Sequence, residues 1–369
     1  MIDLAKEFPQ DPDMLYLNHA AVAPWPQRSR EAAQSFANAN VIYGARDYPQ
    51  WLVVEQRLRQ QLATLIGAPS SDDIALLKNT SEGLSVIAFG LPWQAGDVVL
   101  ISDQEFPSNR IPWEALKRHG VEVRIASLGE DPEADLIAAM DSRVKLLAIS
   151  AVQYGTGLRL DMPRLGQVCR ERNILFCVDA IQAIGALPVD VEAWQADFIV
   201  ADGHKWMLGP EGLALFYCRP EVRPQLSLYQ YGWHMVEAAG DYDRKDWQPA
   251  SSARRFECGS PNLLGSHVLS ASLSLLLEVG MDTVSAELAI RIQQLRAGLL
   301  DKGMTLLGPD QPSRRAGIIT FQSPGEPTDT LFVRLREAGV VCAQRGGGIR
   351  WSPHFYTPHS VIDRALALL

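Results

Sequence analysis

An acidic residue and a lysine follow two apolar segments near the middle of this 369-residue chain. Asp179 directly follows the apolar run 174–178, and Lys205 comes shortly after the run 198–200. Apolar runs of this kind are typical of buried parallel strands. Ligands of an open α/β sheet bind outside the carboxyl ends of its strands. The two side chains are therefore predicted to face the same crevice.

A carboxylate and an amine in such a crevice are the pair that a pyridoxal phosphate (PLP) site requires. The carboxylate keeps the pyridine nitrogen protonated, so that the ring can act as an electron sink, and the amine carries the cofactor as a Schiff base. We predict that Asp179 has the first role and Lys205 the second.

The segments around these two residues resemble those of a known family. Segments 178–182 (VDAIQ) and 201–206 (ADGHKW) are similar to those of fold-type I PLP enzymes of the class V aminotransferase family. This family includes cysteine desulfurases, selenocysteine lyases, kynureninases and isopenicillin-epimerase-like proteins. The resemblance runs from segment 16–20 to segment 352–356, in the family's order. It implies an enzyme that acts at the Cα of an amino acid through an external aldimine.

Strand-like runs alternate with helix-patterned segments up to about residue 218. The runs lie at 74–77, 98–102, 121–126, 146–152, 174–178, 198–200 and 213–218. Such alternation predicts an α/β fold with a mainly parallel sheet, here of seven strands, covered by helices on both faces. The family resemblance implies the same architecture.

The pattern changes after residue 250. A long helical stretch at 264–300 is followed by a strand at 317–321, a helix at 328–338 and a Gly-rich strand pair at 345–352. We expect an N-terminal segment (1–15), a large PLP-binding domain (16–250) and a small C-terminal α+β domain (251–369).

Composition limits the partners and the compartment. The 34 Lys and Arg against 43 Asp and Glu give a net charge of −9 without a dense basic block, so nucleic acid is not an expected partner. Neither a signal peptide nor an apolar run long enough to span a bilayer is visible, so we expect no membrane contact and a cytoplasmic location. Five cysteines without CxxC spacing predict reduced thiols and no metal site.

Segment 79–83 (NTSEG) lies between a predicted strand and a predicted helix. Hydroxyls and free amides at a helix N-terminus form an anion site, although Thr80 or Ser81 would serve equally well as a plain N-cap. The resemblance implies that this segment binds the PLP phosphate.

The resemblance implies four further cofactor contacts. Gln182 corresponds to the residue that contacts the phenolic oxygen of the cofactor, and His204 to a phosphate contact. Phe106 stands where desulfurases place a ring-stacking histidine, and it can stack but cannot move protons. Ser260 matches a hydroxyl residue that reaches the phosphate of the neighbouring subunit, which implies a homodimer with a shared site. Each residue has a structural alternative. Gln182 would cap the following helix, His204 would be a core histidine, Phe106 would pack in the core, and Ser260 would lie in a domain linker.

Arg350 matches the arginine that clamps the substrate α-carboxylate in the family. A planar guanidinium with two parallel donors suits a carboxylate, and the alternative is an ordinary surface arginine. Other predicted substrate contacts, each of which would equally suit packing, are Asn18, His19, Gln153, Tyr154 and Trp233, with Tyr43, Arg46 and His234 as further pocket candidates.

Several reactions share a deprotonated Cα. We expect an aminotransferase-like enzyme first, and a lyase or epimerase on the same scaffold second. No cysteine lies between Cys342 and Arg350, which disfavours the persulfide transfer of desulfurases. A non-catalytic PLP-binding protein is a further alternative, against which the intact Asp179, Lys205 and Arg350 argue. A dinucleotide-binding protein is excluded because no G-x-G-x-x-G follows the first strand.

Overall fold

A computed structural model describes residues 2–369 of the chain. The α-helices are α1 (Leu4–Glu7), α2 (Gln27–Tyr43), α3 (Tyr48–Leu65), α4 (Thr80–Gly90), α5 (Ile111–Glu114), α6 (Pro132–Ala138), α7 (Met162–Glu171), α8 (Leu263–Val279), α9 (Met281–Asp301), α10 (Thr328–Glu337) and α11 (His359–Ala367). The strands are β1 (Leu15–Tyr16), β2 (Ile74–Leu77), β3 (Val98–Ser102), β4 (Glu122–Ala126), β5 (Val144–Ser150), β6 (Leu175–Asp179), β7 (Phe198–Asp202), β8 (Ala214–Cys218), β9 (Thr305–Leu306), β10 (Ile319–Gln322), β11 (Val340–Val341), β12 (Ala343–Arg345) and β13 (Gly348–Trp351).

The large sheet has seven strands in the order β2-β8-β7-β6-β5-β3-β4. Strands β7, β6, β5, β3 and β4 are parallel, and β8 is antiparallel to both of its neighbours. This confirms the predicted mainly parallel seven-stranded sheet. Helices lie between β3 and β4, between β4 and β5, and between β5 and β6, and crossovers of this kind allow successive strands to run parallel, whereas the connection from β6 to β7 contains no helix.

Both faces of this sheet are buried, which explains why its strands read as continuous apolar runs. Val98 and Leu100 of β3 pack into one hydrophobic cluster with α3 and α8. Val99 and Ile101 of the same strand pack into a second cluster with α4 on the opposite face. The alternation of side chains along the strand thus fills two cores at once.

A second sheet lies in the C-terminal part of the chain. It has four antiparallel strands in the order β12-β13-β10-β9. Its apolar face packs with α9, α10 and α11 in a third cluster. Strand β1 pairs with β11, so the N-terminal segment joins this region. The division into domains at residues 15 and 250 stays a prediction.

The predicted single helical stretch at 264–300 is wrong in one respect. It is two helices, α8 and α9, whose axes differ by 83°. Gly280 separates them with a φ of 84°, a backbone conformation that glycine adopts at little cost. Within residues 2–369, no single helix is long and apolar enough to cross a membrane, and only this bent pair has the combined length and composition.

Gly185 controls how closely the turn after β6 approaches the turn after β7. Its φ is 92°, and a Cβ at this position would lie 2.3 Å from the carbonyl oxygen of Trp206. Both the backbone conformation and the space therefore require glycine. The turns that carry Asp179 and Lys205 pack together through this contact.

We predict that Gly185→Ala lowers the free energy of unfolding by about 2 to 4 kcal/mol, because of backbone strain and a backbone clash. Urea unfolding measures this. Gly325→Ala is the matched control, since no described atom lies within 4 Å of a Cβ there, and should change stability by less than about 0.5 kcal/mol. Equal stability of the two variants would contradict the packing of these turns.

Candidate active site

A cavity of about 310 Å³ lies at the carboxyl ends of β6 and β7. It is bordered by Ala20, Ala21, Val22, Asn79, Thr80, Ser81, Phe106, Ser108, Tyr154, Asp179, Ile181, Gln182, Asp202, His204, Lys205, Glu211, Arg345 and Arg350. Segments far apart in sequence therefore converge here, at the position where an open α/β sheet binds its ligands. A larger cavity of about 580 Å³ lies around Phe89 and Trp93, and no lysine is among the residues that border it.

Asp179 is the last residue of β6 and is almost fully buried. Its Oδ1 accepts a hydrogen bond of 3.1 Å from the backbone N–H of Ile181. Burial, with a smaller effect of the Glu105 charge, raises the pKa of this carboxyl to about 7. The hydrogen bond from the Ile181 N–H and the charge of Lys205 both lower this pKa and so reduce the shift. Such a carboxylate gains from a protonated partner, because a cation would compensate its buried charge.

Lys205 lies three residues beyond the end of β7. Burial lowers the pKa of its amine to about 8, although the negative charge of Asp179 raises it. Its Nζ lies 5.7 Å from the centroid of the Phe106 ring. Desolvation keeps a substantial fraction of this amine neutral near pH 8, as a nucleophile or base requires.

The N-terminus of α4 borders the same cavity. Asn79 is its N-cap, and the Oδ1 of Asn79 accepts from the N–H of Glu82 at 2.9 Å. Thr80 and Ser81, which the sequence offered as alternative caps, are thus the first residues of the helix. The Thr80 hydroxyl accepts from the N–H of Asp202 at 3.1 Å, which joins α4 to β7. A helix N-terminus with such hydroxyls can bind an anion.

Arg350 lies on β13 and is buried at the other side of the cavity. Its Nη1 donates to the backbone oxygen of Tyr154 at 2.9 Å. Its Nε has no hydrogen-bond partner among the described residues. Burial, with a smaller effect of Arg345, lowers the pKa of this guanidinium to about 10. A buried cation with unused donors can bind an anionic group from outside the chain.

Gln182 and His204 also border the cavity. The Gln182 side chain donates to the backbone oxygen of Ala20 at 3.0 Å and accepts from the Trp206 indole at 2.7 Å. It therefore ties the Asp179 turn to the Lys205 turn. The Nδ1 of His204 lies 2.9 Å from Asp202 Oδ1, and neither atom has a hydrogen-bond partner among residues 2–369.

Phe106 borders the cavity with 40% of its surface exposed. Its ring meets Tyr154 edge to face, with 5.1 Å between the ring centroids. A half-exposed aromatic face beside the reactive amine can stack on a planar ligand. The stacking role stays a prediction.

Two of the predicted substrate residues lie away from this lining. His19 is buried, with Nδ1 2.9 Å from the Ser352 oxygen and Nε2 2.8 Å from the Tyr356 hydroxyl. Burial lowers the pKa of its imidazole to about 4, so the ring is neutral at pH 7. Gln153 is fully buried and donates to Glu105 at 2.9 Å. A substrate contact by His19 would require one of these hydrogen bonds to break.

Other predicted residues lie at separate places. Asn18 borders a neighbouring opening with Arg345. Trp233 and Ser260 are exposed in the irregular chain between β8 and α8 and do not border the cavity of their own chain. Tyr43 and Arg46 are exposed near the end of α2, and His234 is buried beside Glu257.

Three acidic groups were not predicted as functional residues. Asp202 ends β7 as Asp179 ends β6, so the same signal could have identified it. Glu211 borders the cavity from the loop before β8, without a sequence pattern to distinguish it. Glu105 is buried next to Phe106, and an acid in a loop gives no sign of burial.

One further cluster has the composition of a metal site. The ligand atoms of Glu55, His234 and Glu257 lie within 4.8 Å of one another. However, Arg59 donates to both Glu257 oxygens, at 2.5 and 2.7 Å, and to Glu55 at 2.5 Å. This guanidinium compensates the two carboxylates and joins α3 to the segment before α8.

The profile of the family Aminotransferase class-V matches residues 15–356 of the chain. A probable cysteine desulfurase of Methanothermobacter thermautotrophicus is 30% identical over 388 residues, which cover 98% of this chain and 95% of the relative. Isopenicillin N epimerase of Streptomyces clavuligerus is 30% identical over 376 residues, which cover 96% and 94%.

Solved structures share the fold. A cysteine desulfurase from Thermococcus onnurineus NA1 has a TM-score of 0.89 at 23% identity, and the match covers 99% of this chain and 96% of that one. A variant of C-DES with glycine covalently linked to the PLP cofactor has a TM-score of 0.91 at 22% identity, with 100% and 98% covered. These likenesses confirm the predicted fold class.

The buried Lys205 generates a testable prediction. The rate at which cofactor-free protein reacts with PLP should rise with pH and reach half its maximum at about pH 8, because the amine is nucleophilic only above its pKa. Stopped-flow absorbance measures this. In Lys205→Ala, most of this reaction should be lost, and what remains should come from the α-amino group and from the other lysines, which react towards about pH 10.4. Identical profiles for the two proteins would contradict the assignment.

Proposed function

Because the chain belongs to the class V aminotransferase family and is a PLP-dependent enzyme, we propose that it acts at the Cα of an amino acid. The observation that carries the proposal is the convergence of Asp179, Lys205 and Arg350 on one cavity. When bound, PLP supplies an aldehyde that links to amines and a pyridinium ring that accepts electron density from Cα.

The residues of the cavity fit this cofactor by charge and position. Asp179 would hold a proton at the pyridine nitrogen, because its buried carboxylate gains from a cation. The N-terminus of α4, with Thr80 and Ser81, would hold the phosphate, and His204 lies close enough to the cavity to contribute. Phe106 would cover the ring, and Gln182 would contact its phenolic oxygen through its second amide hydrogen.

Arg350 would position the substrate by its α-carboxylate, with the unused Nε as an additional donor. Lys205 would then move a proton at Cα, since its pKa of about 8 is close to the working pH of a general base. Positioning of the carboxylate on one side and the amine on the other directs the reaction to Cα.

Transamination is our first choice of reaction, and epimerisation or elimination is the second. The second choice is supported by isopenicillin N epimerase and the cysteine desulfurases among the relatives. Persulfide transfer by Cys342 is disfavoured, because burial raises the pKa of this thiol to about 11 and Cys342 does not border the cavity.

The test is a panel of amino acids offered to the PLP-loaded protein, with keto acid, ammonia, sulfide and inverted amino acid measured together. We expect at least one amino acid to be converted. Asp179→Asn is the control variant, and it should retain PLP and the fold while losing most turnover, since an amide cannot hold the ring nitrogen protonated. Near-normal turnover in Asp179→Asn would contradict the proposed role of this carboxylate.

Arg350 provides a second prediction. Arg350→Lys should weaken the apparent affinity for the substrate by about 2 to 5 kcal/mol, roughly 30-fold or more, because an ammonium cannot supply two parallel donors. Steady-state kinetics measure this at unchanged PLP occupancy. Arg345→Lys is the matched control, because Arg345 borders the same cavity but is exposed, and it should change KM only slightly. A larger loss of apparent substrate affinity in Arg345→Lys than in Arg350→Lys would show that Arg345 binds the carboxylate instead.

We further infer a cytoplasmic homodimer whose partner supplies Ser260. Free cysteines, four of them buried, support a reducing compartment. The dimer is supported by the exposure of large aromatic residues on the same irregular segment as Trp233, namely Tyr229, Tyr231, Tyr242 and Trp247, which is unusual for a monomer surface.

Light scattering should give twice the mass of one chain, and Ser260→Ala should weaken PLP binding without changing that mass. The exposed Ser313→Ala is a control that should leave both quantities unchanged. A fully loaded, active monomer would contradict the shared site.

A further inference from the structure

Glu105 is a buried carboxylate that the proposed chemistry does not use. Only 7% of its surface is exposed, in the loop after β3. Its two oxygens accept hydrogen bonds from five donors, namely the hydroxyls of Ser102 (2.7 Å) and Ser150 (2.6 Å), the Ser150 backbone N–H (3.1 Å), and the amides of Asn109 (2.7 Å) and Gln153 (2.9 Å). All five donors are neutral, so they stabilise a negative charge without cancelling it.

One set of these contacts fixes the turn that carries Phe106. The Asn109 side chain donates to Glu105 Oε2, and the Asn109 backbone N–H donates to the Phe106 oxygen at 2.8 Å. The Asn109 Oδ1 in turn accepts from the indole of the fully buried Trp113 at 3.0 Å. The position of the Phe106 ring beside Lys205 therefore depends on a hydrogen-bond chain that ends on Glu105.

A second set of contacts places the Glu105 charge near Asp179. The N–H and hydroxyl of Ser150 both bond Glu105, and Ser150 is the direct neighbour of Asp179 in the pairing of β5 with β6. Adjacent strands lie about 4.8 Å apart. In agreement with this geometry, the charge of Glu105 raises the pKa of the Asp179 carboxyl.

We propose that Glu105 is a positioning residue of this site, which fixes the turn that carries Phe106 and adds a negative charge close to Asp179. The inference rests on the proposed function, because it assigns Asp179 to the cofactor's ring nitrogen. A second negative charge near that nitrogen favours the protonated form of the bound cofactor, which the reaction requires.

The charge can be tested with the PLP-loaded protein by following the pH midpoint of the visible absorption of the cofactor. Glu105→Gln removes the negative charge and keeps the shape of the side chain. The protonated form of the cofactor then loses a nearby charge that stabilises it, so the midpoint should fall by roughly 0.5 to 1 pH unit. Glu105→Asp keeps the charge and should restore most of the midpoint. Glu133→Gln changes a fully buried carboxylate on α6 that is paired with Arg314 and does not border the cavity, and this control should not shift the midpoint.

The positioning role is tested separately. Asn109→Ala breaks the link between Glu105 and the turn but keeps the charge. It should weaken PLP binding, as Phe106→Ala should, and leave the pH midpoint in place. Should Glu105→Gln fail to fold, Asn109→Ala still tests the position of the turn. Glu105→Asp then tests the charge, since its midpoint should stay close to that of the wild type.

The proposal is overturned if Glu105→Gln has the midpoint of the wild type, if Glu105→Asp shifts as far as Glu105→Gln, or if Asn109→Ala binds PLP as tightly as the wild type. Failure of the proposed function has a different signature. In that case Asp179→Asn retains full turnover, whatever the Glu105 variants do.

Discussion

The parallel pairing of β6 with β7 is the constraint on which the site depends. Asp179 lies opposite Val200 in this pairing, so both strands end at the same edge of the sheet. The acid at the end of one strand and the lysine beyond the end of the other must then face one cavity. Gly185 allows the two following turns to touch, and the Gln182 side chain bonds across them to Trp206.

Burial gives these groups their chemistry. Removal from water raises the pKa of Asp179 and lowers those of Lys205 and Arg350. Each group is therefore held in a state in which an external ion of opposite charge would stabilise it. As we propose, a cofactor with a protonated ring, an aldehyde and a phosphate, together with a substrate carboxylate, would supply such partners. Such buried groups make the protein less stable by themselves than apolar residues would, as is common for functional sites.

The features that could be predicted from the sequence are those set by strand pattern and order. The seven strands, the positions of Asp179 and Lys205 and the helix N-terminus after β2 all follow from apolar runs and their ends. The break at Gly280 was missed because a glycine within an apolar helical pattern has no single meaning.

Side-chain partners could not be predicted in the same way. His19 and Gln153 were expected near the substrate, yet both bond other parts of the protein. A histidine or an amide has the same appearance in a sequence whether it binds a ligand or a neighbouring loop. Glu105 gave no signal at all, because its five donors come from four separate positions along the chain.

We propose that Lys205, which borders the same cavity as Asp179, carries the cofactor. It is tested most directly by borohydride reduction of the PLP-loaded protein, followed by peptide mapping with mass spectrometry. A reduced adduct on Lys205, absent from Lys205→Ala, is the result that we predict. An adduct on Lys78 or Lys145 instead, with Lys205 unmodified in an active protein, would contradict the assignment.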